Sequence, residues 1–134
     1  MGQLLLVEDD AAIRGALIRA LTERGHVVAS TPGAMGALRH ILDTPPDLVL
    51  LDLGLPDLEG YEVLRMIRAV SAVPVVVITA RDDETEIIRV LDAGADDYEI
   101  KPFGAGLGGW SLPVRRRTAR IRASIWPPPN GLIT

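Results

Sequence analysis

With 134 residues, 48% of them hydrophobic, 24% charged and only 4% aromatic, the chain fits one domain with an aliphatic core and is too apolar for disorder. Cysteine is absent and no apolar run approaches the roughly 18 residues of a membrane span, which excludes disulfide frameworks, thiolate zinc sites and transmembrane helices and predicts a soluble cytoplasmic protein. The net charge of −4 hides a split: residues 1–103 carry 18 acids against 9 bases, whereas residues 104–134 carry five arginines and no acid.

Residues 3–8 form a short apolar run that ends in acids, and apolar side chains on both alternating faces predict a strand buried on both sides. Asp10 is placed to cap a helix whose apolar positions are Ile13, Ala16, Leu17, Ala20 and Leu21, with Gly25 at its end. Residues 26–29 read as a second strand. Ala34, Ala37, Leu38, Ile41 and Leu42 repeat the helical spacing until Pro45 and Pro46 stop it. A third apolar strand spans 47–53, a loop spans 54–60, and a helix over 61–69 turns Leu64 and Ile67 inward. Residues 74–79 are the strongest strand, a helix over 84–93 carries Ile87, Ile88 and Leu91, and 98–100 form a last short strand. His26 and His40 have no partner pattern and read as surface or loop residues.

Strict alternation of strand and helix predicts an α/β fold, a doubly wound, five-stranded parallel sheet with helices on both faces. In such sheets chemistry collects beyond the carboxyl ends of the strands. Those ends carry Glu8, Asp9 and Asp10, then Asp52, Thr79 and Lys101, which is the only lysine in the chain. Clustered carboxylates repel unless a cation neutralises them. With no soft ligand present, a hard ion fits, and magnesium takes one or two carboxylates plus water and phosphate oxygens. Asp52 is the nucleophile candidate, because a carboxylate attacks a phosphoryl group to form an acyl phosphate. Lys101 and Thr79 supply a point charge and a hydroxyl for the phosphoryl oxygens.

Taken singly, these residues have plainer readings. Asp9 and Asp10 also suit helix capping, Glu8 reads as a neighbour of the cleft rather than a ligand, Thr79 is an ordinary strand residue and Tyr98 an ordinary core aromatic. Asp52 is harder to explain structurally, since an acid inside a doubly buried strand costs several kcal/mol unless something compensates it.

The segments Leu-Val-Glu-Asp-Asp (6–10), Leu-Leu-Asp-Leu-Gly-Leu-Pro-Asp (50–57), Val-Val-Ile-Thr-Ala (76–80), Gly-Ala-Asp-Asp-Tyr (94–98) and Lys-Pro-Phe (101–103) resemble, in order and spacing, the receiver domain of bacterial two-component response regulators. The last two segments are most similar to regulators with a winged-helix DNA-binding output domain. The resemblance covers residues 3–103 and implies a flavodoxin-like sheet of order 2-1-3-4-5. It implies Asp52 as phosphoacceptor and a magnesium ion arranged by Asp9, Asp10, Asp52 and the Gly54 backbone carbonyl. Thr79, Ala80 and Lys101 bind the phosphoryl group, Thr79 and Tyr98 act as the switch, and the Lys101–Pro102 peptide is cis. The implied phosphodonor is a sensor histidine kinase, and the implied process is two-component signalling linked to transcription. Such a chain is no enzyme beyond assisting its own phosphorylation and dephosphorylation.

After residue 103 the pattern departs from the family. A long amphipathic fifth helix belongs there, but Gly104, Gly106, Gly108 and Gly109 cannot sustain one. The abrupt shift points to a truncated or frame-altered end. Residues 1–103 are therefore read as the receiver domain and 104–134 as an atypical tail that is either disordered or carries a short, weakly docked helix over 113–126. Gly104 to Gly109 fits G-x-G-x-x-G, but Pro113 and the missing downstream acid reject a dinucleotide site. With 31 residues after Phe103, no winged-helix domain fits and no sequence-specific DNA binding is expected. A missing fifth helix leaves apolar sheet open beside the first helix. That predicts a homodimer unlike the family's, whose usual face uses the fourth helix, the fifth strand and the fifth helix, where Asp96 and Asp97 would lack their arginine partners. Two other readings remain: an interaction module that no longer takes phosphate, and a magnesium-dependent phosphohydrolase, which ranks last because Gly54 stands where such enzymes place a second acid.

Overall fold

The computed structural model describes residues 2–79 and 84–100. Five strands, β1 (Gln3–Val7), β2 (Val27–Thr31), β3 (Leu48–Asp52), β4 (Val75–Thr79) and β5 (Asp97–Ile100), alternate with α1 (Ala11–Glu23), α2 (Ala34–Asp43), α3 (Gly60–Val70) and α4 (Glu84–Asp92). The strands form one parallel sheet in the order β2-β1-β3-β4-β5. The α/β architecture expected from the alternation is therefore present. Ala80, Lys101, Pro102, the tail 104–134 and the expected helix over 113–126 lie outside the described residues, as does whatever follows β5.

The uninterrupted apolar strands work because each successive side chain serves a different face. Leu5, Val7, Val49, Leu51, Val75 and Val77 pack with α2 and α3 through Ala37, Ile41, Val63, Leu64 and Ile67, and with Val90 of α4. Leu4, Leu6, Leu48, Leu50, Val76 and Ile78 form the opposite face, against Leu17 and Leu21 of α1. Sequence periodicity placed Leu17, Leu21, Ala37, Ile41, Leu64 and Ile67 inward as observed, whereas Ala16, Leu42 and Ile88, on the same expected apolar positions, are exposed.

Two expectations are corrected here. Val76 and Ile78, on the α1 side of β4, are only 4% and 1% exposed, so the sheet does not lie open at those positions; both join one cluster with Leu17, Leu21 and Leu50. The exposed large apolar side chains instead include Met35, Leu42, Met66 and Val70, which line a groove between α2 and α3. His26 is buried rather than superficial, because the turn at Gly25 (φ 92°) folds the chain back onto α1, where His26 N–H donates to the Leu21 carbonyl at 3.2 Å. Within the chain, Asp96 pairs with Arg68 of α3, at 2.8 Å.

α2 begins after Gly33, which has no side chain to cap the helix. Asp57, in the β3–α3 loop, supplies the cap from outside, accepting from Ala34 N–H at 3.0 Å and Met35 N–H at 3.3 Å. The Ala34 hydrogen bond is the largest cause holding the Asp57 carboxyl below its ordinary value of 3.8; burial opposes it, and further backbone hydrogen bonds from Met35 and the loop add to the lowering. A depressed carboxylate stabilises the fold fully above its unfolded value and loses that contribution as pH falls through the native one. Asp57→Ala should therefore cost about 1 kcal/mol at pH 7, and the gap should shrink below pH 3.8. Urea midpoints of both proteins at pH 7 and pH 3 check this; an equal gap at both pH values contradicts the cap.

Candidate functional site

Register places the carboxyl ends of the strands on one rim: Val7 pairs with Thr31 and Leu51, Asp52 with Ile78, and Thr79 with Ile100. Every side chain that leaves a strand end is delivered there, which is why acids separated by more than forty residues in sequence meet. Glu8 and Asp9 follow β1, Asp52 is the last residue of β3, and Thr79 is the last of β4.

Carboxylate oxygens of Glu8, Asp9 and Asp52 all lie within 4.8 Å of one another. Glu8 and Asp52 are buried, at 0% and 5% exposure, and Asp9 is exposed. Gly54 N–H donates to Asp52 Oδ1 at 3.2 Å, and a Cβ on Gly54 would stand 3.7 Å from Asp52 Oδ2. The loop therefore approaches the carboxylate closely with its bare backbone. Asp10 N–H donates to Glu8 Oε2 at 3.2 Å.

Asp10 itself is not in this group. Its Oδ1 accepts from Ala12 N–H at 2.9 Å and Ile13 N–H at 3.0 Å, so its side chain caps α1. The structure thus brings Glu8, not Asp10, to Asp9 and Asp52. A signal for this was in the sequence: a side chain committed to an N-cap is turned toward the helix, leaving the two preceding acids for the cleft. Tyr98 is buried in the core that contains Val77 and Val90. Thr79 sits at the rim by its backbone position.

Three carboxylates this close repel, and all their donors are hard oxygen atoms. That donor set suits an octahedral, oxygen-preferring divalent ion such as Mg2+, which completes its shell with water and phosphate oxygens. A buried carboxylate at the centre of that arrangement is placed to attack a phosphoryl group whose charge the ion offsets.

A sequence model described as the response regulator receiver domain matches residues 4–107. Among curated proteins, the transcriptional regulatory protein KdpE of Mycobacterium tuberculosis is 45% identical over 121 residues, covering 89% of this chain and 54% of that protein. The KDP operon transcriptional regulatory protein KdpE of Escherichia coli is 44% identical over 133 residues, covering 99% of this chain and 57% of that protein. The chain thus spans about half the length of these relatives. Among solved structures, a two-component response regulator from Clostridium difficile superposes with a TM-score of 0.78 at 25% identity, covering 92% of this chain and 95% of that one. The BeF3-activated N-terminal receiver domain of Klebsiella pneumoniae RstA gives 0.74 at 29% identity, covering 93% and 99%. Among the described residues no helix is long and apolar enough to cross a membrane.

Proposed function

The chain belongs to the response regulator receiver-domain family, and from that premise we propose that it is a phosphorylatable switch in cytoplasmic two-component signalling, with Asp52 as phosphoacceptor. The observation that carries this reading is the buried Asp52 carboxylate grouped with Glu8 and Asp9 at the rim of a parallel sheet. The phosphodonor is a phosphohistidine of a sensor histidine kinase. An Asp52 oxygen attacks phosphorus, the bond from phosphorus to the imidazole nitrogen breaks, and its electron pair stays on the imidazole.

Glu8, Asp9 and Asp52, with the Gly54 backbone carbonyl, would hold the Mg2+; this assigns Glu8 the place that the family resemblance implied for Asp10. When bound, the ion offsets negative charge on the phosphoryl oxygens. Gly54 N–H, already bonded to Oδ1, orients the carboxylate so that its other oxygen points to the incoming phosphorus. Thr79, the Ala80 backbone and Lys101 receive the phosphoryl oxygens, and Thr79 and Tyr98 report the event to the rest of the domain. Residues 1–103 form this unit and 104–134 a separate basic tail. The relatives are transcriptional regulatory proteins, so the output of the switch is assigned to transcription. The protein does no chemistry on a separate substrate beyond its own phosphorylation and dephosphorylation.

Incubation with MgCl2 and a small acyl-phosphate donor, followed by intact-mass measurement, tests the proposal. One phosphate per chain is expected, dependent on Mg2+ and absent in Asp52→Asn. No adduct on the wild-type protein would leave an interaction module, and steady donor consumption without an adduct would identify a phosphohydrolase; either outcome overturns the switch.

A further inference from the structure

We propose that Arg14 is a positioning residue for the Mg2+ site, its guanidinium fixing the backbone from which Glu8 and Asp9 project. The inference rests on the receiver reading above. Arg14 lies one turn into α1, where its N–H donates to the Asp10 carbonyl at 2.9 Å. From there its side chain reaches back across the β1–α1 loop. One terminal nitrogen donates to the Glu8 carbonyl at 2.8 Å and to the Asp9 carbonyl at 3.4 Å.

The rest of the loop is held at its two ends. Glu8 N–H continues the sheet ladder to the Thr31 carbonyl at 3.1 Å, and the Asp10 side chain is tied to the start of α1. Between those anchors, Arg14 holds the Glu8 and Asp9 carbonyls, and Asp10 N–H donates to Glu8 Oε2. A carbonyl and a side chain leave the same Cα, so pinning two successive carbonyls restricts where both carboxylates stand. Charge-assisted bonds are the stronger class, which suits this task.

The guanidinium charge works against its own hydrogen bonds. A cation near three carboxylates competes with Mg2+, so through charge alone Arg14 weakens metal binding. Through position it strengthens binding, because the carboxylates need not be ordered when the ion arrives. The two effects have opposite signs, and removing the side chain shows which dominates.

The experiment is a titration of the full chain with MgCl2 at fixed ionic strength, followed by amide chemical shifts, on wild type, Arg14→Met and Arg14→Lys. Arg14→Met, similar in length and uncharged, is expected to bind Mg2+ about tenfold more weakly, the loss typical of residues that orient metal ligands. Arg14→Lys keeps the charge on a shorter side chain and is expected to fall between Met and wild type. A role through charge predicts tighter binding in Arg14→Met and no change in Arg14→Lys, and either result overturns the proposal. Should Arg14→Met lose its cooperative urea transition, Arg14→Lys carries the test: affinity equal to wild type refutes positioning. A wild-type protein that binds no Mg2+ would instead sink the receiver reading, and this inference with it.

Discussion

Arg68→Ala is expected to destabilise the protein by about 3 kcal/mol, the lower end of what breaking a buried ion pair costs, with a matching fall in the urea midpoint. Arg68 sits in the last turn of α3. Its Nε donates to the Gly94 carbonyl at 2.9 Å, one terminal nitrogen to the Val73 carbonyl at 2.6 Å, and the other to Asp96 Oδ2 at 2.8 Å. The same Oδ2 accepts from Val75 N–H at 2.8 Å. One guanidinium therefore joins α3 to the entry of β4 and to the turn before β5. The Asp96 side chain is 4% exposed, whereas that of Arg68 is 23% exposed, so water partly replaces a lost guanidinium and the cost stays at the low end. Removing the arginine leaves the carboxylate buried without its countercharge.

Gly94 is part of the same device. Its φ of 120° and the 2.7 Å separation of a Cβ from Arg68 Cγ mean that Gly94→Ala displaces the guanidinium as well as straining the turn. Asp96→Asn, which keeps an acceptor for Val75, should cost less than Arg68→Ala. All of this lies at the end of the sheet opposite the acidic rim, so folded Arg68→Ala should bind Mg2+ as wild type does. A midpoint indistinguishable from wild type would contradict the buried-pair account.

Glu8→Gln and Asp9→Asn are each expected to weaken Mg2+ binding by about tenfold or more, because each removes one full charge from within ligand distance of the ion. The metal-free protein should at the same time gain stability, by roughly 1 kcal/mol for exposed, screened Asp9. One of three repelling charges has been removed, so stability and affinity move in opposite directions. Asp10→Ala should do the reverse: lose about 1 kcal/mol with or without the ion, as a helix cap is deleted, and keep nearly wild-type affinity. Urea unfolding with excess chelator or with saturating MgCl2, alongside the Mg2+ titration, separates the two behaviours. If Asp10→Ala loses the metal and Glu8→Gln keeps it, the ligand set is the one the family resemblance implied rather than the observed geometry.

The contrast among Glu8, Asp9 and Asp10 marks the boundary between what was legible in sequence and what was not. Apolar periodicity is a local property, so β1 to β5, α1 to α4 and the inward faces of Leu17, Leu64 and Ile67 could be read from short windows. The position of Asp52 was legible for the same reason: an acid closing a wholly buried strand has nowhere to go but the rim. Which of three consecutive acids turns toward Asp52 depends on where the helix starts, and one residue of register decides between cap and cleft.

Other features had no local signal at all. Asp57 caps a helix 23 residues earlier in the chain, Arg68 meets Asp96 across 28, and His26 is buried by a turn that reverses the chain onto α1. Each is a single polar group whose partner is chosen by the packing of separate elements. The sequence by itself determined the alternation of elements, their buried faces and the delivery of acids to one rim. Tertiary structure decided the partner of each polar side chain, because hydrogen bonds are short and directional whereas apolar burial asks only for the right face.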